Sequence, residues 1–538
     1  LRYYRKRGYY VVAGGSYASL CPERYQGVAD TVVAGEAEYI WRDFCRDFEQ
    51  NAMRRLYRET GVVDLADSPT PRFDLLKLNW YRVVSLQFSR GCPYRCEFCD
   101  IIVMFGRRPR TKSPEQVGRE LDQVRALGVH NVFFVDDNLI GNRPRAKELL
   151  RYLAHYQRQY GYGFQFGTEA SLNLAEDDEL LDLFRAANFG WIFIGIESPD
   201  KASLKETGKI QNTRTDILGA VHKIYRNGID VLAGFIVGFD NDTLDTFDRQ
   251  KCFIKASGIQ VAMVGLLTAL PRTPLYQRLQ QEGRLLVESE HADNTSVGTN
   301  FLPKRMDYGA MVQAYANLYR QLVSDRSIAD RIRNKTRHLR QPVSRDVHSL
   351  PQRLAMVVRL IARGLLPGGP VRWYHFLRTL ARCVPRAWPL AISDWVAGLA
   401  MRDFVERQFN PDVSSAQRMT KAAHTFIGKQ AARLRQGAAA VSLVAVSKRT
   451  HLTVTLRGAV DKRFLTRAGQ RLESLLRRST ATLTLRIDEL AESQRQYLDK
   501  LLRRLSRYGD RIWIQIDERN RRRLSIDLSV FQLALDQT

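Results

Sequence analysis

The chain is short of cysteine and short of acid. Seven cysteines in 538 residues are too few for a disulfide scaffold, and their number is odd. Asp and Glu number 57 against 83 Lys and Arg, which leaves a formal net charge of +26. No uninterrupted run of about 18 uncharged apolar residues is found, so no membrane-spanning helix is expected. The most apolar candidate, Trp388–Met401, is broken by Pro389 and Asp394. No signal peptide is visible either. Hydrophobic residues at 44% and charged residues at 26% exclude a disordered or fibrous chain. The deficit of acid points to a polyanion, either nucleic acid or anionic lipid, or else to a basic solvated surface.

What is there falls into three or four domains by length. Tyr9–Ala13 and Ala29–Ala34 read as short parallel strands ending at Gly14-Gly15 and Gly35-Glu36. After a polar connector at Asp67–Arg72, apolar runs recur at Val83–Phe88, Asn131–Val135, Gly163–Thr168, Trp191–Gly195, Val231–Val237 and Val261–Leu267. Helical periodicity fills the gaps, as in Pro114–Leu127 and Ala146–Tyr156. Strand–helix repeats without hairpin signals mean parallel strands joined by crossover helices. A doubly wound sheet would also fit. An incomplete β/α barrel is preferred, because polar residues gather just after nearly every strand. From Phe301 to Asn410 the pattern turns helical, and Arg353–Phe409 mixes arginines with Trp373, Tyr374, Phe376, Leu377, Leu380, Trp388, Trp395 and Phe404. Such helices can lie in a membrane interface or cover the open side of a barrel, and covering is the expectation. Strands at Val441–Val446, Leu452–Leu456, Ala481–Ile487 and Ile512–Ile516, with helices at Phe464–Arg478 and Ser493–Tyr508, make a small α/β domain. Its order resembles STAS domains. The basic run Arg519–Arg523 reads as a solvated turn.

Ser89–Phe105 reads SRGCPYRCEFCDIIVMF and carries Cys92, Cys96 and Cys99 in a Cys-x3-Cys-x2-Cys triplet directly after a strand. Thiolates on a tight loop suit zinc or an iron–sulfur cluster. Structural zinc would need a fourth ligand, and His130 and Cys252 are far away in sequence. Three ligands with an open fourth position suit a [4Fe–4S] cluster whose unique iron binds a substrate or cofactor.

This triplet, with Phe98 before the last cysteine, resembles the radical SAM motif, and the resemblance extends over Leu78–Leu286. It implies that Cys92, Cys96 and Cys99 hold a [4Fe–4S] cluster and that S-adenosylmethionine (SAM) chelates its fourth iron. One electron then cleaves SAM to a 5′-deoxyadenosyl radical. By the same resemblance, SAM is expected to meet Phe98, Asp136 and Asp137 after the second strand, and Glu169 and Ser171 after the third. Gly195 and Glu197 after the fourth strand and Gly234 on the fifth complete the set. The acidic pair departs from the Gly-Gly-Glu-like segment usual in the family, and a helix N-cap role is open for Asp137 or Asn138.

The N-terminal stretch resembles the closing half of the cobalamin-binding domain that precedes the barrel in one class of this superfamily. Gly14, Gly15, Gly35 and Glu36 are then the cobalamin candidates. The Asp-x-His-x-x-Gly segment that would ligate cobalt lies earlier in such proteins, so the chain reads as lacking the front half of this domain. Cys99-Asp100-Ile101-Ile102, Val135–Gly141 and Gly234–Thr243 resemble cobalamin-binding radical SAM proteins with a DUF4070-type extension, a family that includes hopanoid C-2 methylases.

The expectation is therefore an α/β chain in four parts. A partial Rossmann-like cobalamin domain (1–70) precedes an incomplete (β/α)6 TIM-like radical SAM barrel (78–290). A helical extension (291–435) and a small STAS-like domain (440–538) follow. The family implies a C-methyltransferase using the cluster, SAM and cobalamin on an unactivated carbon of a polycyclic lipid. Its partners would be a small-molecule or lipid substrate and a reductant such as flavodoxin or ferredoxin, at the cytoplasmic face of a membrane. Ring contraction, cyclisation, methylthiolation and RNA modification are the alternatives. Cys21, Cys45, Cys252 and Cys383 are too scattered for the second cluster of a methylthiotransferase.

Overall fold

The computed structural model describes residues 1–538 except 82, 162, 287–297, 341–349, 410–412, 433, 435–437, 447–448, 458–459, 480, 490–491, 522 and 535–538. The expected barrel boundary at 290/291, the start of the gap at 435–440 and Arg522 of the basic run therefore lie outside the described residues. The chain divides into two compact units, Leu1–Val405 and Glu406–Thr538.

In the first unit, β1 (Val12–Ala13), β2 (Thr31–Ala34) and β3 (Leu56–Arg58) form a parallel sheet in the order β1-β2-β3. The first two lie where the Gly-terminated runs place them. The third escaped notice because three residues flanked by arginines carry no apolar run. The larger sheet contains β4 (Val84–Leu86), while β5 (Ser89–Arg90) and β6 (Arg110–Thr111) pair as a separate antiparallel ladder. It continues with β7 (Asn131–Phe134), β8 (Gln165–Glu169), β9 (Phe189–Glu197), β10 (Asp230–Val237) and β11 (Ala262–Leu266). The order is β11-β10-β9-β8-β7-β4, every pair parallel. This is the open six-stranded barrel sheet that the repeats require.

Helices start where the sequence supplies caps. Ser113 and Gln116 make a capping box before Pro114–Ala126, Asn142 caps Arg143–Tyr160, and Asp177 caps Asp178–Ala186. The two faces of the sheet differ. Along β10 burial alternates strictly, with Val231, Ala233, Phe235 and Val237 buried beneath the helices. An aromatic cluster joins Phe134, Phe166, Phe184 and Phe189 on that face, with centroids 4.7–5.5 Å apart. The opposite face is only half covered, and it carries Phe133, Trp191, Phe193 and Met263 beside Gly167, Gly195, Gly234 and Gly265. Gly167 is obligatory there, since a Cβ would stand 2.3 Å from the Trp191 ring.

The helical region packs at the base of the barrel. Helix Asp325–His338 and helix Trp388–Phe409 join through Ile328, Ile332 and Trp395, with Phe376 and Leu365 in the same cluster. Pro389 does not break the second helix, because it stands in the first turn, where a missing N–H costs nothing. Asp394 does not break it either: its carboxylate lies 3.1 Å from Lys335. Only part of the aromatic set packs, however. Tyr374, Leu377, Trp388 and Phe404 stay exposed. One run, Leu354–Arg382, is long and apolar enough by length and composition to cross a membrane. It differs from the Trp388–Met401 candidate, which pays out its apolar residues to the core. Its arginines are spaced widely enough to leave an apolar window.

In the second unit, helix Val413–Ala431 packs Ala423 and Ile427 into the core of the C-terminal sheet. That helix was expected in the extension, and burial of its apolar face assigns it to the sheet. The sheet contains β12 (Ala439–Val446), β13 (Arg449–Leu456), β14 (Thr482–Ile487), β15 (Ile512–Ile516) and β16 (Gln532–Ala534) in sequential order. The first pair is antiparallel and the rest are parallel. Helices Lys462–Arg478 and Arg495–Leu505 are the crossovers.

Candidate cluster and cofactor site

The strand parity of the barrel sheet brings the loops after β4, β7, β8, β9 and β10 to one end. The loop after β4 holds the cysteine triplet and is closed at its neck by the β5–β6 ladder. Gly91 permits the neck. Its φ is +93°, and a Cβ would press on the carbonyls of Phe105, Gly106 and Arg108 at 3.1–3.3 Å. Cys96 is buried, Cys92 and Cys99 are half-buried, and all three are free thiols. Burial raises the pKa of each, that of Cys99 to about 12, to which the neighbouring Cys92 and Cys96 add, and Cys92 adds to that of Cys96.

The surroundings favour thiolates at the same time. Backbone N–H groups of Tyr94 and Ile101 face Cys92 and Cys99, and Gln211 Nε2 lies 3.9 Å from Cys96 Sγ. The Lys209 ammonium opposes the charge of Cys92 and Cys96. Among the described residues no three His, Cys, Asp or Glu side chains converge on one point as a mononuclear site requires. The triplet suits a cluster in which each thiolate holds its own iron.

The acidic pair after β7 holds the loop. Asp136 is 1% exposed, and its Oδ1 accepts from Phe88 N at 2.9 Å and from Ser89 N. Burial pushes its pKa up to about 7. Asp137 Oδ2 accepts from Gly91 N at 2.9 Å. Both were expected to meet SAM. Asp136 Oδ1 and Asp137 Oδ2 fix the backbone on the approach to Cys92, while Asp136 Oδ2 is buried without a hydrogen-bond partner among the described residues. Asn138 bonds Ser171 through Oδ1 and Nδ2 and also reaches Cys92. Ser171 donates to Asn173 Oδ1 at 2.6 Å, and Asn173 Nδ2 donates to the Tyr94 hydroxyl at 2.9 Å. Ser171 is thereby spent on a network running from β8 to the cysteine loop.

Glu169 differs. Among the described residues its carboxylate has no hydrogen-bond partner, and burial with Asp137 and Glu197 nearby raises its pKa to about 7. Glu197 is paired, with Oε1 2.7 Å from Lys209 Nζ. Its φ of +63° coincides with a register shift against β10 and turns the side chain into the site. Burial works against the Lys209 charge, but Glu197 and the thiols outweigh it and its pKa stands raised. Gly195 makes room for this pair, because a Cβ would lie 2.4 Å from Glu197 Oε1 and 3.0 Å from Lys209 Nζ. Gly234 faces the Phe193 ring. Phe98 packs on Phe239 with centroids 6.1 Å apart.

Lys209, Gln211 and Asn212 went unnoticed in the sequence. They lie on a segment after β9 that clasps the cysteine loop: Glu97 N donates to Thr207 O at 3.0 Å, and Asn212 Nδ2 donates to Gly195 O at 3.0 Å. Arg278, also unnoticed, grips Glu97 at 2.8 Å and Asp240 at 2.7 Å. Polar residues after a barrel strand were the available signal, but sequence spacing does not show which loop they fold over.

In the N-terminal sheet, Ser19 Oγ accepts from Gly35 N at 2.8 Å and donates to Gly15 O at 2.9 Å, so the glycine turns do meet. Gly35, at φ +96°, clears Glu59, and Gly14 lies alongside Val33. Glu36 does not join them. Its carboxylate is held by Arg90 at 2.7 Å and Arg110 at 2.9 Å. It ties this sheet to the barrel, as Glu38 does through Arg90.

The sequence matches the Radical SAM superfamily over residues 86–249 and a domain of unknown function, DUF4070, over 273–410. An uncharacterized methyltransferase of Synechocystis is 38% identical over 376 residues, covering 69% of this chain and 70% of that protein. The hopanoid C-2 methylase of Rhodopseudomonas palustris is 40% identical over 297 residues, 54% of this chain and 55% of that one. A bacteriochlorophyllide d C-12(1)-methyltransferase of Chlorobaculum tepidum is 24% identical over 346 residues, 62% and 72% of the two chains. The cysteine loop at the carboxyl end of an open six-stranded parallel sheet agrees with these similarities, and the chain belongs to the radical SAM superfamily.

Proposed function

We propose that the protein methylates an unactivated carbon of a polycyclic lipid of the hopanoid type, with the cluster, SAM and cobalamin as cofactors. One observation carries the reading. The cysteine loop, the free Glu169 carboxylate and the Glu197–Lys209 pair all meet at the mouth of a barrel whose inner face is apolar and half open. Such a face suits a rigid hydrocarbon better than a charged peptide or RNA. The similarity to a hopanoid C-2 methylase supports the lipid class.

With its cofactors bound, the site supplies a carbon radical, which unactivated C–H bonds require because no side-chain base removes such hydrogens. The chain's own residues do the positioning. Cys92, Cys96 and Cys99 hold the cluster, with Asp136, Asp137 and Asn138 fixing their loop. Glu169 is placed to accept hydrogen bonds from ribose hydroxyls, and Lys209 is placed to meet a carboxylate. Gly195 and Gly234 leave room beside them, and Phe98 and Ser171 support the loop from behind. Gly14, Gly15, Gly35 and Glu36 are the cobalamin candidates. The N-terminal sheet is read as part of a cobalamin domain and the second unit as STAS-like. The reductant is a small electron-transfer protein, and the lipid substrate sets the work at a membrane's cytoplasmic face.

The test is incubation of the reconstituted protein with methyl-labelled SAM, cobalamin, a reductant and a hopanoid. Label in the lipid, lost in Cys96→Ala together with the cluster's absorbance, is the expected result. Label that enters only RNA, peptide or a tetrapyrrole overturns the substrate class.

A further inference from the structure

The run Leu354–Arg382 has a composition that nothing in the proposed chemistry uses. From Val347 to Ser393 the sequence contains no Asp or Glu, while arginines recur throughout, among them Arg359, Arg363, Arg378 and Arg382. Its apolar side chains are largely unburied: Leu354 is 66% exposed, Val358 55%, Leu366 60%, Val371 62%, Tyr374 61% and Leu377 55%. The opposite side is anchored, since Leu360, Leu365 and Phe376 are buried with Ile328, Ile332 and Trp395. A helical strap is thus fixed to the unit by one edge and presents an apolar and basic edge outward. Arg359, Arg363 and Arg382 are exposed and have no acidic partner among the described residues. Arg372 is neutralised by Asp325 at 3.0 Å.

The backbone shows how such a strap meets a bilayer. Helix Leu350–Arg359 gives way to a π-helical turn at Leu360–Leu365 and a 3-10 turn at Leu366–Gly368. Gly369, at φ +65° and ψ −166°, then redirects the chain into helix Gly369–Arg382. Crossing a membrane takes about 20 residues of continuous helix, which neither piece supplies. Lying in the interface takes an apolar face flanked by cations, which both supply.

We propose that the face formed by Leu354–Arg382 docks in the plane of an anionic phospholipid bilayer. Exposed aliphatic side chains enter the acyl boundary and the arginines meet lipid phosphates. Charge complementarity selects this occupant over a second copy of the chain. A two-fold contact would set the same acid-free, arginine-bearing face against itself. Nucleic acid would answer the arginines but leave the aliphatic side chains in water. The proposal deepens the lipid reading of the substrate and rests on it for its purpose, because a substrate dissolved in a bilayer must be drawn from one.

The experiment is cosedimentation of the full chain with vesicles of phosphatidylcholine alone and of phosphatidylcholine mixed with phosphatidylglycerol. Binding to the mixed vesicles should be at least about tenfold tighter and weaken with salt. Arg359→Gln with Arg363→Gln should remove about tenfold of that preference. Leu354→Ser with Val358→Ser and Leu377→Ser should abolish binding to both vesicles. All five are surface positions, and unchanged circular dichroism shows that the fold survives. Failure of the wild type to bind anionic vesicles, or self-association through this face that vesicles do not reverse, overturns the proposal. Methyl transfer to detergent-dispersed hopanoid is read in parallel. Intact vesicle binding without methylation sinks the substrate reading alone, and methylation without vesicle binding sinks the docking surface alone.

Discussion

Replacing Lys335 with methionine removes the cation that bridges two carboxylates at a buried meeting of three elements and leaves Asp394 with only the more distant pull of Arg331. Lys335, 1% exposed on helix Asp325–His338, lies 2.8 Å from Asp230 at the start of β10 and 3.1 Å from Asp394 on helix Trp388–Phe409. Methionine fills a similar volume but leaves both carboxylates without their direct ion-pair partner. Breaking a buried pair from one side costs about 3–5 kcal/mol. For a unit of this size that corresponds to a fall in Tm of roughly 5 °C.

The pH dependence follows from Asp394, which burial pushes up to about 6 against the pull of Lys335. An acid with a raised pKa stabilises the fold in its neutral form, and that contribution is lost as pH rises through about 6. Without Lys335 the Asp394 carboxyl holds its proton more firmly. The deficit of the variant should therefore be full at pH 8 and smaller by about 1–2 kcal/mol at pH 5.5. Adding Asp394→Leu removes one stranded charge and should restore more than half of the loss at pH 8. Scanning calorimetry at the two pH values reads all of this. A loss under about 1 kcal/mol, a loss that ignores pH, or a double variant no better than the single would refute the reasoning.

Burial raises Asp136 from 3.8 to about 7, so its stabilising neutral form is lost as pH climbs through 7. Asp136→Asn should flatten that part of the stability–pH curve by about 3 kcal/mol between pH 5 and 8, measured by denaturant titration. Gly195→Ala places a methyl 2.4 Å from Glu197 Oε1 and should displace the Lys209 pair. Equilibrium binding should show SAM affinity reduced at least about tenfold, with the iron content unchanged. Glu36→Ala takes one of two carboxylates from Arg90 and the carboxylate partner from Arg110, and should cost about 2–3 kcal/mol in thermal unfolding. It should also speed proteolytic release of the first 70 or so residues.

Much of the barrel was legible because its signals are local. The apolar run Asn131–Val135 became β7 at Asn131–Phe134, and the Ser113-Pro114 start became a capped helix. Cys92, Cys96 and Cys99 could be read as cluster ligands because ligand spacing on one loop is a property of a few consecutive residues. The structural partners of Asp136 and Glu36 were not legible for the opposite reason. Each stands after a strand, where a cofactor contact is the natural expectation. What an acidic side chain does is set by the nearest donor, and for these two the nearest donors are the amides of Phe88 and Ser89 and the guanidinium groups of Arg90 and Arg110.

The sequence by itself determined the parallel strand–helix alternation, the cysteine loop and the acid-free basic stretch. Periodicity, capping and charge are summed along the chain without reference to partners. Only the tertiary structure decided that Lys209 closes over the thiols, that Lys335 joins two carboxylates at the barrel base, and that helix Val413–Ala431 serves the second unit rather than the extension. Those assignments depend on which distant residues share a desolvated space, and a buried charge takes whichever counter-charge the packing places within reach.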